Sequence, residues 1–423
     1  MGRILDAGYA LTLLPHYLYH RLGTGKYGPA APEKLGRFPP GSPPGEATLW
    51  VHGVSVGEVL AARPLVRAFE ERYPGRSFSV STTTETGRAV AQKRFGPGRV
   101  FYFPLDFSWI VRRAFDRVRP SLVLLMELEL WPHFLEEAAR RAAPVVVANV
   151  RISARSARRF RRLGPLARRM LDRVALWTSQ DETNAARLRS LGVEEERIRV
   201  VGSLKYDGLE FSEDPEETAR LHAALGGGRI LLAGSTHPGE EEILLAAFEK
   251  LRGRLGFALR LVLVPRHPER TDAIERLVPP GLKAHRRSRG PAPSGADLVL
   301  VDTIGELAGM YGAAEAVVVG GSLVPGVGGH NMLEPAALAR PIVYGPSVFN
   351  FEEPAGRLER AQGAIRLPDS GPGTLASALE GLLRSPEAAR AMGGRAREAA
   401  RAMQGAAART LDALGPFLAQ ARA

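Results

Sequence analysis

Glu58 has the residue type and setting that acid–base chemistry needs. It lies in Leu49-Trp50-Val51-His52-Gly53-Val54-Ser55-Val56-Gly57-Glu58-Val59. Val59, Ala62, Val66 and Phe69 then recur at helical spacing, so the stretch reads as a buried strand, a glycine turn and a helix. Ligands of open α/β sheets bind outside the carboxyl ends of the strands. A carboxylate there can be the general base of a transfer reaction. The same residues also fit a capping box, with Ser55 as N-cap and Glu58 reaching back to its amide. A helix N-terminus favours the charged carboxylate and lowers its basicity, so a base here also needs a desolvated or activated hydroxyl. Spacing alone leaves cap and base both open.

Other strand ends carry further candidates. The segment Gly320 to Pro335 places five glycines in ten residues before a helix that Asn331 can cap. Glycines let the backbone approach a ligand closely, and amides at a helix start favour anions. Asn331-x-x-Glu334 resembles another capping box, so Glu334 is either a cap partner or an acceptor for ribose hydroxyls. Ser235 and Thr236 either cap the helix from Glu240 or contact a phosphate. Pro265-Arg266-His267-Pro268 fixes an arginine at a strand end, and Asp302-Thr303-Ile304-Gly305-Glu306 ends another strand in the same way. Glu127 and Glu129 stand two apart after Leu122–Met126. A glycosidase pair is one reading; a single electrostatic or hydrogen-bonding role is the other.

These positions need a scaffold of strand ends. Twelve short apolar runs, from Thr48–His52 to Pro341–Tyr344, alternate with helical patterns. That predicts parallel sheets covered on both faces. Twelve strands exceed an ordinary sheet, so two Rossmann-like domains facing a cleft are expected. The predicted division is an anchor and linker over 1–30, a first domain over 31–204, a linker over 205–218 and a second domain, with the C-terminal helices, over 219–423. Residues 31–46, rich in Pro and Gly, read as a loop.

The chain has 423 residues, 24% charged and 45% hydrophobic, which fits a globular protein of two or three domains. It has no cysteine, so disulfides, thiolate metal sites and cysteine nucleophiles are excluded. The net charge of +12 points to nucleic acid, an anionic membrane or phosphorylated substrates. Its densest run is Arg151 to Arg173, where nine arginines interleave with Phe160, Leu163, Leu166 and Met170. Such a pattern is either a solvated helix face or a surface for anionic lipid or polyphosphate. Aromatics suited to base stacking are sparse there, which disfavours nucleic acid. Met1 to His20 is apolar and aromatic, interrupted by Pro15. It reads as a membrane anchor, with a buried helix as the alternative.

Taken in order, seven motifs resemble the 3-deoxy-D-manno-octulosonic acid (Kdo) transferases of lipopolysaccharide assembly. They are His52 to Glu58, Met126 to Pro132, Ala148 to Ser153, Gly202 to Asp207, Ser235 to His237, Val264 to Arg270, and Gly320 to Leu323 with Gly329 to Asn331. The resemblance spans nearly the whole chain. It implies a GT-B fold and transfer of Kdo from CMP-Kdo to a lipid A precursor, lipid IVA, with inversion and with neither metal nor cofactor. By the same resemblance Glu58 is the base, and Glu127 and Lys205 stabilise the transition state. Pro265, Arg266, Ile304, Gly305, Glu306, Asn331, Met332, Leu333 and Glu334 hold CMP, with Ser235 and Thr236 as further phosphate contacts. The N-terminal segment would sit on the cytoplasmic side of the inner membrane. The alternative within the fold is a UDP-sugar transferase or epimerase.

Overall fold

The computed structural model of the chain describes residues 31–38 and 48–420. The expected N-terminal anchor lies outside the described residues. Among these residues no helix is long and apolar enough to cross a membrane.

Two compact units emerge, one of residues 1–208 with 403–423 and one of residues 209–402. The first holds a seven-stranded sheet of β1 (Leu49–His52), β2 (Phe78–Thr82), β3 (Val100–Tyr102), β4 (Leu122–Met126), β5 (Val145–Val150), β6 (Leu176–Ser179) and β7 (Ile198–Val200). All pairings are parallel, in the order β3-β2-β1-β4-β5-β6-β7. Alternate residues enter opposite cores. Leu49, Val51, Leu122 and Leu124 pack on one face. Trp50, Val123 and Leu125 pack on the other, where the Trp50 indole lies 5.0 Å from Phe134 and 5.2 Å from Phe115, centroid to centroid. Burial on both faces is why these strands read as continuous apolar runs.

The second unit repeats the plan with β8 (Ile230–Thr236), β9 (Arg260–Pro265), β10 (Ala284–Arg286), β11 (Leu298–Leu300), β12 (Ala316–Val319), β13 (Ile342–Tyr344) and β14 (Ala364–Arg366). Their order is β10-β11-β9-β8-β12-β13-β14. The helices Glu240–Arg254 and Pro372–Arg384 pack Leu244, Phe248, Leu375 and Leu379 over the inner strands. Strands β10 and β14 were not among the twelve expected. They are the two edges, half-buried and three residues long.

Two expectations change here. Dividing the chain at 218 would put its final helix, Ala406–Gln420, in the second unit; it belongs to the first. Leu411, Leu414 and Leu418 enter the core beneath Val59, Val66 and Phe69. Asp207 accepts the amides of Gly405 at 2.7 Å and Ala406 at 3.2 Å, so a carboxylate sits at the helix start. The stretch read as a loop over 31–46 holds a short helix, Ala31–Lys34. Its buried Glu33 accepts from Arg88 at 2.8 and 2.9 Å and from the Tyr102 amide at 2.9 Å.

Candidate functional site

The strand order reverses between β1 and β4 in the first sheet and between β8 and β12 in the second, whose β10 edge also lies out of sequence beyond β11. Those crevices are where open α/β sheets bind ligands. Glu58 follows β1, and Glu127 and Glu129 follow β4, so the three acids meet at the first crevice. Lys205 joins them, its Nζ 3.5 Å from Glu127 Oε1. Burial pushes the Glu129 carboxyl up, and the charges of Glu58 and Glu127 add to this against the Trp131 indole N–H 3.2 Å away. Glu129 therefore holds its proton to a higher pH than an ordinary glutamate.

The capping arrangement of Glu58 does not use up its carboxylate. Ser55 is the N-cap of the helix Val56–Arg72 and accepts the Glu58 amide at 3.4 Å. The Glu58 carboxylate turns back, taking the Ser55 hydroxyl at 2.8 Å and the Val54 amide, not that of Ser55, at 2.9 Å. An ionised carboxylate has about four acceptor sites, so two bonds orient it and leave room for a substrate proton. Backbone strain helps to set the neighbouring groups. Glu127 and Asn149 both have φ of 59°, uncommon outside glycine. Asn149, buried at the end of β5, accepts the Leu204 amide at 3.1 Å and so fixes the residue before Lys205.

The second crevice is built differently. Three histidines follow three adjacent strands: His237 after β8, His267 after β9 and His330 after β12. His237 Nε2 lies 2.8 Å from His330 Nε2, with the rings stacked at 5.0 Å, and the His267 ring stands edge-on to His237 at 6.0 Å. Burial lowers the pKa of both paired rings, that of His330 to about 4, and the neighbouring histidines and Arg266 add to this. Sequence reasoning quoted these histidines within motifs without giving them a role. His237 and His267 closely follow strand ends, which is a signal available in sequence; His330, eleven residues beyond β12, carries none.

The glycine loop is not an open anion hole. Fully buried Glu240 accepts the amides of His237 at 2.9 Å, Gly321 at 2.7 Å and Leu323 at 2.8 Å, joining the β8 and β12 loops through the chain's own carboxylate. The loops run so close that a Cβ on Gly320 would lie 2.4 Å from the Ser235 carbonyl oxygen. Thr236 does not suit a phosphate contact: it is fully buried and its hydroxyl donates to Glu241 at 2.9 Å. Ser235 is half-buried with φ of 59°.

The other expected nucleotide contacts vary in what they can offer. Pro265 ends β9, and the Arg266 side chain is exposed, with no hydrogen-bond or ion-pair partner among the described residues. Ile304 is 87% exposed, an apolar side chain free to lie against a ring, and Gly305 has φ of 90°. Glu306 is held by Arg287 at 2.8 Å and by the Thr303 hydroxyl. Asn331 donates to Glu334 at 2.9 Å and accepts the Leu333 amide at 3.1 Å. Burial pushes the Glu334 carboxyl up. Met332 and Leu333 are fully buried, so only their main chain can face a ligand.

Residues 29–208 match the family described as 3-deoxy-D-manno-octulosonic-acid transferase (kdotransferase). The chain is 36% identical over 390 residues to the 3-deoxy-D-manno-octulosonic acid transferase of Haemophilus influenzae, covering 91% of each. It belongs to the Kdo transferase family. The Kdo transferase of Bordetella pertussis is likewise 36% identical over 403 residues, 92% of each chain. In fold, this Kdo transferase family member is similar to a glycosyltransferase from Rickettsia africae, with TM-score 0.60 and 12% identity over 88% of this chain and 99% of that one. A putative UDP-N-acetylglucosamine 2-epimerase from Listeria monocytogenes gives TM-score 0.57 and 13% identity over 88% and 96%. The GT-B fold and glycosyl transfer expected from the motifs are thus borne out.

Proposed function

We propose that this glycosyltransferase moves Kdo from CMP-Kdo to the lipid A precursor lipid IVA, by inversion and without a metal. The observation that carries the reading is the group Glu58, Glu127, Glu129 and Lys205 at the β1/β4 crevice of a Kdo transferase family chain. A lipid hydroxyl attacks the anomeric carbon and gives its proton to Glu58. The bond from that carbon to the phosphate oxygen breaks, and CMP leaves. One displacement needs one base and no carboxylate nucleophile, so it inverts the anomeric centre. Charge developing along the reaction is opposed by Lys205, steered by Glu127, and by Arg266 near the departing phosphate.

The acceptor would be a membrane lipid bearing phosphates, and we place the enzyme on the cytoplasmic face of the inner membrane. The helices Ala154–Arg162 and Pro165–Asp172 support this. Their apolar Ala157, Ala167, Met170 and Leu171 face inward, while all nine arginines from Arg151 to Arg173 are exposed. Replacing Arg158 and Arg162 by Glu should weaken cosedimentation with anionic vesicles; unchanged sedimentation would return the arginines to a solvated face.

The test of transfer is CMP release from CMP-Kdo with a tetraacylated lipid A precursor in EDTA. Release no faster than spontaneous donor hydrolysis would sink the reading. Collapse in EDTA with rescue by a divalent cation would sink metal independence alone. Thermal stabilisation by UDP rather than CMP would move the chain to a UDP-sugar enzyme.

A further inference from the structure

At 2.8 Å, the Nε2–Nε2 contact of His237 and His330 holds one hydrogen between two nitrogens. One ring presents Nε2–H and the other a lone pair, so the contact cannot persist with both nitrogens protonated. The pair sits where β8 and β12 diverge, beside a glycine loop shaped to admit it: a Cβ on Gly321, whose φ is 70°, would lie 2.9 Å from His330 Cδ2.

The charges facing the pair are Arg266, Arg270 and His267, with Glu241 as the acid near His237. Glu241 is already taken by Arg270 at 2.9 Å and by Thr236, and Glu240 by three amides. Arg266 has no such partner. Burial keeps the rings neutral while the crevice holds no anion, and the arginines add to this; the further acid of the cluster, Glu269, lies 3.4 Å from His267. An arriving anion reverses that balance.

We propose that the His237–His330 pair, with Arg266, receives the phosphate of the donor nucleotide and binds a proton together with the product CMP. This rests on the CMP-donor reading. The phosphate of a CMP-sugar is a diester with one negative charge. When its bond to the sugar carbon breaks, it becomes a monoester with a second ionisation near pH 6. A proton added at the accepting Nε2 parts the two Nε2 atoms, and both rings then offer N–H donors to the charge that has appeared. The pair thus favours product-like phosphate over the diester.

Isothermal titration of the full chain with CMP at pH 7, in two buffers of different ionisation heat, measures proton uptake directly. The expected uptake is about 0.1–0.5 proton per CMP, since a contacting dianion that raises His330 by about 2–3 units from about 4 leaves it partly protonated at pH 7. The methyl ester of CMP, fixed at one charge, should take up less. His330→Gln and His237→Gln should lose the uptake and bind CMP more weakly. Because uptake is read on the unaltered protein, a variant that fails to fold does not decide the matter. CMP binding with no uptake, or with uptake equal for CMP and its ester, overturns the pair's role and leaves the donor reading standing. Absence of CMP binding overturns both.

Discussion

Both sheets have seven parallel strands with an inner reversal of order, and they differ in what they carry at that reversal. Where β1 and β4 diverge there are three carboxylates and one lysine; where β8 and β12 diverge there are histidines and arginines. The second crevice has acids too, but Glu240 and Glu241 are fully buried and spent on backbone amides, Thr236 and Arg270. On the proposed reading, the first edge takes the acceptor's proton and the second meets the phosphate's negative charge. The Rossmann-like frame supplies the crevice, and the side chains after each strand decide its sign.

If that division of labour holds, damage to the two edges should read out differently. The largest effect is expected from Glu58→Gln. Losing a general base lowers the rate by about 10²–10⁴-fold. Gln still accepts from Ser55 or Val54, so melting temperature and CMP affinity should stay near wild type. An equal loss of CMP affinity would show that the first edge also holds the nucleotide. Next is Glu240→Ala, which strands three amide donors. Each unsatisfied buried group costs about 1–3 kcal/mol before water repairs part of it, so a net loss of roughly 3 kcal/mol is expected in urea unfolding. A loss below about 1 kcal/mol would mean that the two loops hold together without the carboxylate.

Much of this was legible in sequence, and what was not has physical causes. Strands buried on both faces announce themselves as apolar runs, as Leu122–Met126 does. Ala284–Arg286 and Ala364–Arg366 do not, because an edge strand half-covered by neighbours needs no such run. The helix Ala406–Gln420 is plain from its pattern, yet an amphipathic face does not say which core it will enter; Asp207 and Leu414 settle that only in three dimensions. Glu58 stands out because a strand, a glycine turn and a helix start are local signals. Thr236 misled because a hydroxyl at a strand end looks the same whether it faces a ligand or a buried Glu241. The histidine pair is non-local: positions 237 and 330 meet only once β8 and β12 lie side by side.

A smaller effect belongs to Arg266→Ala. Hydrogen bonds to charged groups contribute about 1.5–3 kcal/mol, so CMP should bind roughly 10–100-fold more weakly. The Arg266 side chain is exposed and has no bond to the described residues, so folding stability should not change. A drop in stability with unaltered CMP affinity would remove Arg266 from the nucleotide site.

The smallest effect is a pH slope that separates the edges. His52, at the end of β1, is fully buried. Its Nδ1 lies 3.0 Å from the Ser81 hydroxyl and 3.1 Å from the Ser81 carbonyl oxygen, and its ring stacks on Phe103 at 3.8 Å. Burial lowers its pKa to about 3 from an ordinary 6.5. Below pH 6.5 the unfolded chain takes a proton that the folded chain refuses, so stability is present above 6.5 and is lost as pH falls toward 3. A refused proton costs up to about 1.4 kcal/mol per pH unit, and full burial puts His52 near that limit. His330 acts with the same sign between 6.5 and about 4, but partial exposure screens it and its slope should be shallower. Hydrogen exchange of the β1 and β8 amides between pH 6.5 and 5.5 reads the two separately. Saturating CMP should flatten the slope in β8, where a bound anion makes protonation of His330 favourable, and leave β1 unchanged. A CMP-sensitive slope in β1 instead would break the distinction between a histidine that only packs and one that meets charge.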